Sequence, residues 1–194
     1  CVYGDKVEFG GSVAWNGGGP TADASVCAAT KNPTWSKAVV HLVETSKGYQ
    51  FDLAVNDCTQ STFNFSGKIF PGTYRVSVKG YYDNAVTGKP LSNLPTTDYI
   101  VEAALVIGAD LSGKILNVQT VQFGGSVTLN GATPTADATV CSATKNPTWS
   151  KAVVHLVEPS KGYQFDLAVN DCTHSTFNFS GKILPGTHRM SVTG

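Results

Sequence analysis

The sequence predicts an all-β protein made of two tandem β-sandwich domains, the second of which lacks its C-terminal strands. Residues 7–80 recur as 121–194 at a constant offset of 114 without a gap, and 13 of the 74 aligned positions differ. A period of this length indicates whole domains, because solenoid units span only about 20–50 residues. Short alternating segments separated by turn residues fill the repeat, which is typical of β-structure. Residues 81–120 have no counterpart after the second copy.

The first two strands are predicted from their residue patterns. Residues 7–15 alternate apolar and polar side chains, and Gly10-Gly11 in the middle indicates a β-bulge. The run Asn16-Gly17-Gly18-Gly19-Pro20 ends this strand, because glycine and proline favour turns. Residues 38–44 are almost continuously apolar and β-branched. That pattern is typical of a central strand covered on both faces.

The remaining strands of the first copy alternate more regularly. Their predicted inward side chains are Tyr49, Phe51, Leu53 and Val55, then Phe63 and Phe65, then Tyr74, Val76 and Val78, which alternate with the outward Arg75, Ser77 and Lys79. Residues 99–107 and 114–120 supply two more strands, with a turn predicted over 108–113. No segment has a 3.6-residue period long enough for a helix. About seven short strands in a unit of roughly 115 residues predict a β-sandwich.

Composition excludes several classes of function. The 14 basic and 14 acidic residues are scattered singly and give a formal net charge of zero. The chain therefore lacks the basic stripe of a nucleic-acid-binding protein. No apolar run approaches the length that a transmembrane helix needs, so no membrane span is expected. Low charge with abundant Gly, Thr, Ser and Asn is typical of extracellular β-proteins.

Four of the five cysteines follow the repeat. Cys27 and Cys58 recur as Cys141 and Cys172 with the same separation of 31. No second Cys or His lies at the spacing of a zinc site, so no metal is predicted. We predict one disulfide in each domain, which implies an oxidising compartment, while a pair of buried free thiols remains the alternative. Such a bond would stabilise each domain by about 3–4 kcal/mol through loop closure.

The fifth cysteine, Cys1, has no counterpart in the repeat. The chain begins on this residue and not on Met, which predicts that an upstream segment was removed or left out. Cys1 is therefore a candidate site for a lipid anchor, since lipoprotein processing leaves an N-terminal Cys. An inter-chain disulfide and a cloning remnant are the alternatives.

Several short motifs of the repeat match a known fold family. Phe63-Asn64-Phe65, followed by the run from Ile69 to Val78 with Pro71-Gly72 in it, resembles the core of transthyretin-like (prealbumin-like) sandwiches. Gly11-Ser12-Val13 and residues 38–42 resemble the first two strands of that family. Its members include the Cna-B-type and carboxypeptidase-regulatory-like domains of bacterial surface proteins. The resemblance implies a transthyretin-like, Ig-like sandwich and a bacterial surface location.

One family feature has no match in this sequence. Cna-B domains often carry an isopeptide bond from a lysine of the first strand, but residues 7–15 contain no lysine. The resemblance therefore implies a domain in which the predicted disulfide acts as the covalent staple.

The predicted domains are residues 1–120 and 121–194, joined without a linker. The last strand of the first domain runs directly into the first strand of the second, with no Pro-, Gly- or Ser-rich segment between them. A short, stiff junction is expected, so that successive domains stack as a rod.

The strands missing from the second domain have three explanations. The chain stops within a longer array of repeats, another chain supplies the strands by β-augmentation, or the shortened domain folds alone. A sandwich without those strands exposes an apolar groove and unpaired edges.

No catalytic site, cofactor or metal is predicted. His41, repeated as His155, lies in an apolar strand and is interpreted as structural. No Gly-x-Ser-x-Gly motif supports a Ser-His-Asp site. Carboxylates are sparse and lie beside turns. A calcium loop at Asp83-Asn84 or Asp110 is a weaker alternative, without EF-hand spacing.

The predicted function is that of a non-enzymatic structural protein of a bacterial surface stalk or extracellular filament, with strand donation between chains. Its partners would be other copies of itself or further repeats. The alternative is a carbohydrate- or protein-binding adhesin module. Its candidate ligand contacts are Trp35 and Trp149, each in a polar loop beside proline, where an indole can stack on a sugar or anchor a surface protein.

Overall fold

The computed structural model describes residues 4–28, 30–83, 89–142 and 144–194. Every regular element in these ranges is a β-strand, which confirms the predicted all-β class. The chain divides into two compact units, residues 1–119 and 120–194. This division lies one residue before the boundary expected from the repeat.

Unit 1 contains two sheets. Its strands are β1 (Val7–Trp15), β2 (Ser36–Glu44), β3 (Gln50–Asp57), β4 (Asn64–Ile69), β5 (Gly72–Gly80), β6 (Tyr99–Ile107) and β7 (Leu111–Val118). One sheet has the order β4-β1-β7 and the other the order β3-β2-β5-β6. Strand β2 is interior, as its continuous apolar run predicts. All pairings are antiparallel except that of β1 with β7, which is parallel.

The core of unit 1 draws side chains from both sheets. Phe63 and Phe65 are buried as predicted, and so are Tyr74, Val76 and Val78 on β5. Alternation along β5 fails at Ser77, which is predicted to face outward but is only 2% exposed. In the sheet register Ser77 lies between His41 on β2 and Ile100 on β6, so neighbouring strands cover it on both sides.

The predicted bulge and turn differ in detail from the structure. Strand β1 pairs with β4 without interruption through Gly10-Gly11. The irregularity lies on the other side of β1, where Phe9 pairs with Leu111 and Gly11 with Lys114. Strand β7 therefore carries the extra residue, and it begins at Leu111 instead of at residue 114. Gly113, at a φ of 72°, belongs to this bulge and not to a turn.

Unit 2 contains five strands. They are β8 (Val121–Ser126), β9 (Ser150–Glu158), β10 (Tyr163–Asp171), β11 (Asn178–Ile183) and β12 (Arg189–Thr193). Their order is β12-β9-β10-β11-β8. The part β12-β9-β10 repeats the order β5-β2-β3 of unit 1, and β11-β8 repeats the order β4-β1. The two parts form one sheet in unit 2 because β10 pairs with β11 through a single residue pair, Val169 with Phe179. Strands β12 and β8 form the two edges of this sheet. Their counterparts in unit 1, β5 and β1, pair there with β6 and β7.

The core of unit 2 is smaller. Seven buried side chains form its apolar cluster, against 17 in unit 1. Val76 is fully buried whereas its counterpart Met190 is 55% exposed, and Val78 is 1% exposed whereas Val192 is 49% exposed. The same strand thus changes from core to surface when its covering strands are absent.

Candidate functional site

Both predicted disulfides are present. Cys27 bonds to Cys58 and Cys141 to Cys172, with Cα–Cα distances of 5.1 and 4.9 Å. Each bond ties the loop before the second strand of its unit to the residue that follows the third strand. Disulfides of this kind are typical of proteins from oxidising compartments.

The tryptophan loops lie next to the disulfides and have the same backbone in both units. The amide N–H of Cys58 donates to the Trp35 carbonyl oxygen at 3.0 Å, and Cys172 does the same with Trp149. The exposure of the two indoles differs, since Trp35 is half-buried and Trp149 is 61% exposed.

A segment with no counterpart in residues 121–194 packs beside the disulfide loop of unit 1. Leu91 and Leu94 are 1% and 2% exposed, and the Leu91 carbonyl oxygen accepts a hydrogen bond from Asp23 at 2.8 Å. The segment therefore lies against the loop that carries the disulfide, and Val26 in that loop is 2% exposed. Val140, the counterpart of Val26, is 48% exposed. The disulfide loop is thus more exposed in unit 2 than in unit 1.

A buried lysine holds the loop that follows the disulfide. Lys37 is fully buried, and its ammonium group donates to the carbonyl oxygens of Gln60 and, at 2.6 Å, Thr62. Its Nζ lies 4.4 Å from the centroid of the Phe63 ring. Burial lowers the pKa of Lys37. Lys151 repeats these contacts in unit 2 but is half-exposed.

An aspartate also holds the loop that follows the disulfide, by accepting hydrogen bonds from it. The Thr59 hydroxyl donates to Asp57 and lowers its pKa. In unit 2 the hydroxyl and the amide N–H of Thr173 donate to Asp171, and His174 adds a third hydrogen bond at 2.7 Å. Together these contacts lower the pKa of Asp171 to about 2.

His41 is on the outer face of its sheet and is satisfied by a carboxylate. Its Nδ1 lies 2.5 Å from Asp52 Oδ1 on the neighbouring strand, and His155 pairs with Asp166 in the same way. The register places Ser77 opposite His41 on the other side, so that Asp52, His41 and Ser77 align across three strands.

This alignment does not form a catalytic triad in unit 1. Side chains of directly opposed residues stand parallel to each other on one face of a sheet. The serine hydroxyl therefore lies near the base of the imidazole and away from its outer nitrogen. Ser77 is also only 2% exposed, which leaves no room for a substrate carbonyl.

An open cleft of about 440 Å³ surrounds the His41–Asp52 pair. Its lining residues are Val39, His41, Asp52, Lys79, Gly80, Tyr81, Tyr82 and Asp98. Tyr81 and Tyr82 are 40% and 42% exposed, and burial raises the pKa of Tyr81. Neither tyrosine has a counterpart in residues 121–194.

The edges of unit 2 form its main unpartnered surface. All five residues of β12 are exposed, and every residue of β8 is exposed except Phe123, which is half-buried. Leu129 and Val121, which follow and begin the first strand of this unit, are 65% and 44% exposed. This surface combines free strand edges with apolar side chains.

Sequence reasoning missed two structural residues. Gly11 was interpreted as part of a bulge in its own strand, but it is required by the approach of β7, since a Cβ there would lie 1.8 Å from the Lys114 carbonyl oxygen. The burial of Lys37 and its hydrogen bonds to the loop that follows the disulfide were not predicted. The repetition of Gly10-Gly11 and Lys37 in the second copy was a signal available in the sequence.

Three further observations concern the other candidate sites. Cys1 and Asn84 lie outside the described residues. Among the residues that are described, no group of three His, Cys, Asp or Glu side chains could hold a metal ion. The same ranges contain no helix long and apolar enough to cross a membrane.

A solved structure similar to this chain is known. No family model matches the chain, and no curated protein matches it either. A DUF3823 family protein from Parabacteroides merdae is similar at a TM-score of 0.35 and 13% sequence identity, over 93% of this chain and 82% of that one. At that TM-score the likeness carries no argument about function.

Proposed function

We propose that this chain is a non-enzymatic structural protein of a bacterial cell-surface stalk or extracellular filament, built from stiffly joined β-sandwich repeats. Two near-identical units with separate cores support a modular protein. One disulfide in each unit supports an extracellular location. The resemblance of the repeat to transthyretin-like domains of bacterial surface proteins supports the same proposal.

The parallel pairing of β1 with β7 carries this proposal. These are the first and last strands of unit 1, and they are joined through six residue pairs from Phe9 with Leu111 to Trp15 with Val118. A force that pulls β1 from its N-terminal end and β7 from its C-terminal end acts along the two strands. All the hydrogen bonds between them then resist together instead of breaking one after another. This arrangement suits a protein under tension.

Unit 2 has no such pair among its described residues, because β8 lacks a neighbour on that edge. In the proposed filament, strands from another chain would complete this unit. Its exposed residues Met190 and Val192 support the need for a covering partner.

Single-molecule force spectroscopy on the full chain tests the structural role. We expect a strong unfolding event for unit 1 and a weaker, earlier one for unit 2. While the disulfides are intact, the residues between each pair of cysteines cannot be stretched by the applied force. Reduction should therefore lengthen the extension of each unit by about 100–110 Å, at 3.3–3.6 Å for each of the 31 residues released. Unfolding of unit 1 at the low force of unit 2 would contradict the proposal.

One observation favours the second candidate function, a glycan- or protein-binding adhesin module. Trp149 is 61% exposed in a polar loop, a position from which an indole can stack on a sugar ring. Glycan-array binding by the full chain that is lost in Trp149→Ala but kept in Trp35→Ala would support this role. An absence of binding by the unsubstituted chain would reject it.

A further inference from the structure

We propose that the open cleft beside the His41–Asp52 pair of unit 1 binds a neutral sugar whose pyranose rings carry equatorial hydroxyl groups. The cleft has a volume of about 440 Å³, and two exposed tyrosines, Tyr81 and Tyr82, line it. This site is additional to the proposed structural role. It contains no residue of either tryptophan loop.

The outer face of the sheet β3-β2-β5-β6 forms the floor of the cleft. Val39 and His41 lie between members of the core cluster along β2, so their side chains point away from the core. In the sheet register Val39 pairs with Lys79 of β5, and His41 pairs with Asp52 of β3. These four side chains therefore share one face and lie side by side on it.

The segment that follows β5 forms the wall of the cleft, and its backbone is fixed. The Gly80 amide donates to the Pro95 carbonyl oxygen at 2.8 Å, and the Tyr81 amide donates to the Lys37 carbonyl oxygen at 3.1 Å. A Cβ on Gly80 would lie 2.8 Å from the Leu94 carbonyl oxygen, so glycine allows this close approach. The tyrosines are thus positioned before a ligand arrives, which lowers the entropic cost of binding.

The hydroxyl groups of both tyrosines are hydrogen-bond donors for a ligand. The Thr96 hydroxyl donates to the Tyr82 hydroxyl oxygen at 2.6 Å, and the described residues include no acceptor for the Tyr82 proton. Burial and, to a smaller extent, the charge of Asp52 raise the pKa of Tyr81, so its hydroxyl keeps its proton. The rings are 40% and 42% exposed and therefore also offer apolar area.

Charged side chains supply further donors and acceptors. Asp98 and Lys79 line the cleft, and neither has a hydrogen bond or ion pair with another described residue. Asp52 contacts His41 through Oδ1 alone, at 2.5 Å. Lys79 and the two aspartates leave a net charge of −1 when His41 is neutral and of zero when it is protonated. Charges that nearly cancel suit a neutral ligand with many polar groups.

A sugar fits this combination better than other small ligands do. The CH groups of a pyranose ring stack on tyrosine, and equatorial hydroxyls leave that face of the ring flat. Its hydroxyls donate to carboxylates and accept from an ammonium group. An anionic ligand would meet two aspartates, and a cationic one would meet Lys79. The volume of the cleft is within the range of small-molecule sites, about 300–1,000 Å³.

NMR titration of the isotope-labelled full chain with cellotetraose, whose rings carry only equatorial substituents in the chain, tests the inference. We expect saturable shifts of the amide signals of Gly80, Tyr81 and Tyr82. Tyr81→Ala should weaken binding by at least about tenfold because it removes the stacking ring. Tyr81→Phe keeps the ring and should weaken it by only about twofold. Asp98→Ala should weaken it by about fivefold, since a charged acceptor is lost.

Two substitutions outside the cleft are the controls. Tyr49→Ala removes a tyrosine of similar exposure, 38%, that does not line the cleft. It should change the affinity by no more than about twofold. Trp149→Ala should also leave the affinity unchanged, which separates this site from the tryptophan loop. Asp98 is exposed, so Asp98→Ala keeps the test informative if Tyr81→Ala unfolds unit 1.

Three outcomes overturn the inference: no binding of cellotetraose, binding that Tyr81→Ala and Asp98→Ala leave unchanged, or binding that Trp149→Ala abolishes. Trilysine and trigalacturonate serve as charged probes and should not bind. Binding of either one in place of cellotetraose would also overturn the inference, because it would identify a site for cations or anions. None of these results changes the unfolding force of unit 1, so the structural role is tested separately.

Discussion

Units 1 and 2 share 61 of 74 aligned residues, yet only unit 1 closes into two packed sheets. In unit 1, β6 and β7 cover the edges of β5 and β1, and Val78 is in the core. The described residues of unit 2 contain no such strands, and Val192 on the strand that matches β5 is 49% exposed. The comparison teaches that burial of a strand is decided by its neighbours, even where its own sequence hardly changes.

Local contacts, in contrast, are the same in both units. The disulfide, the lysine that binds two carbonyl oxygens and the His–Asp pair all recur. Each of these involves β2, β3 or one of the loops beside them, or their counterparts, and none involves β6 or β7. The part of the fold around the second and third strands is therefore independent of closure.

Removal of a disulfide should produce the largest contrast between the units. Cys27→Ser and Cys141→Ser each remove a cross-link worth about 3–4 kcal/mol. Unit 1 has the larger core and should stay folded, whereas unit 2 should lose its protection. Segment-resolved hydrogen exchange measures both. Equal losses in the two units would break the comparison.

An alanine at the paired glycines should give the next largest effect. Gly11→Ala should destabilise unit 1 by about 3 kcal/mol, because its Cβ collides with the backbone of β7. Gly125→Ala should cost unit 2 less than about 1 kcal/mol, since only the Phe179 ring must move. Urea unfolding followed by hydrogen exchange compares them. A similar cost at both sites would show that unit 2 already holds a strand at that edge.

His188→Tyr should stabilise unit 2 by about 1 kcal/mol. Its counterpart Tyr74 donates from its hydroxyl to the Phe70 carbonyl oxygen at 2.6 Å, whereas the buried Nε2 of His188 has no partner among the described residues. The substitution restores the residue of unit 1. The midpoint of urea unfolding of unit 2 measures the gain, and the reverse change, Tyr74→His, should destabilise unit 1.

His174→Gln should give the smallest effect, a change in acid titration. The pKa of Asp171 is about 2, below its usual 3.8, so the folded state favours the ionised carboxylate. The stabilisation is complete above about pH 4 and is lost as the pH falls through about 2. Glutamine, the residue at position 60 of unit 1, also donates to the aspartate but ranks last among the causes that lower the pKa of Asp57, so replacing His174 by it should raise the pKa of Asp171. NMR titration measures it, with Asp57 as the internal reference, and an unchanged value would contradict the role of His174.

The sequence predicted strands well where alternation was regular and failed where strands meet irregularly. Residues 7–15 and 99–107 were predicted with the observed bounds, because residues that favour turns, Asn16-Gly17 and Gly108, follow them directly. Gly113 was interpreted as a turn, since its role in the bulge of β7 depends on the position of Phe9 and Gly11. Ser77 was predicted to face solvent, although the strands on both sides of it cover it.

The candidate site was predictable in its covalent part only. A repeated separation of 31 residues was enough to predict both disulfides, because it gave each unit one self-contained pair. Trp35 and Trp149 have identical neighbours in sequence, so no local pattern could distinguish a half-buried indole from an exposed one. The segment that carries Leu91 and Leu94 lies against the disulfide loop of unit 1, and it comes from a distant part of the chain.

The sequence by itself determined the all-β class, the repeat, most strands and the cysteine pairs, because alternation and spacing are local properties of the chain. Tertiary structure decided the parallel partner of β1, the need for glycine at Gly11 and the exposure of β12. These features depend on which backbone lies beside a strand, and residues far apart in the chain supply it. Two copies of one sequence therefore differ in surface although they agree in secondary structure.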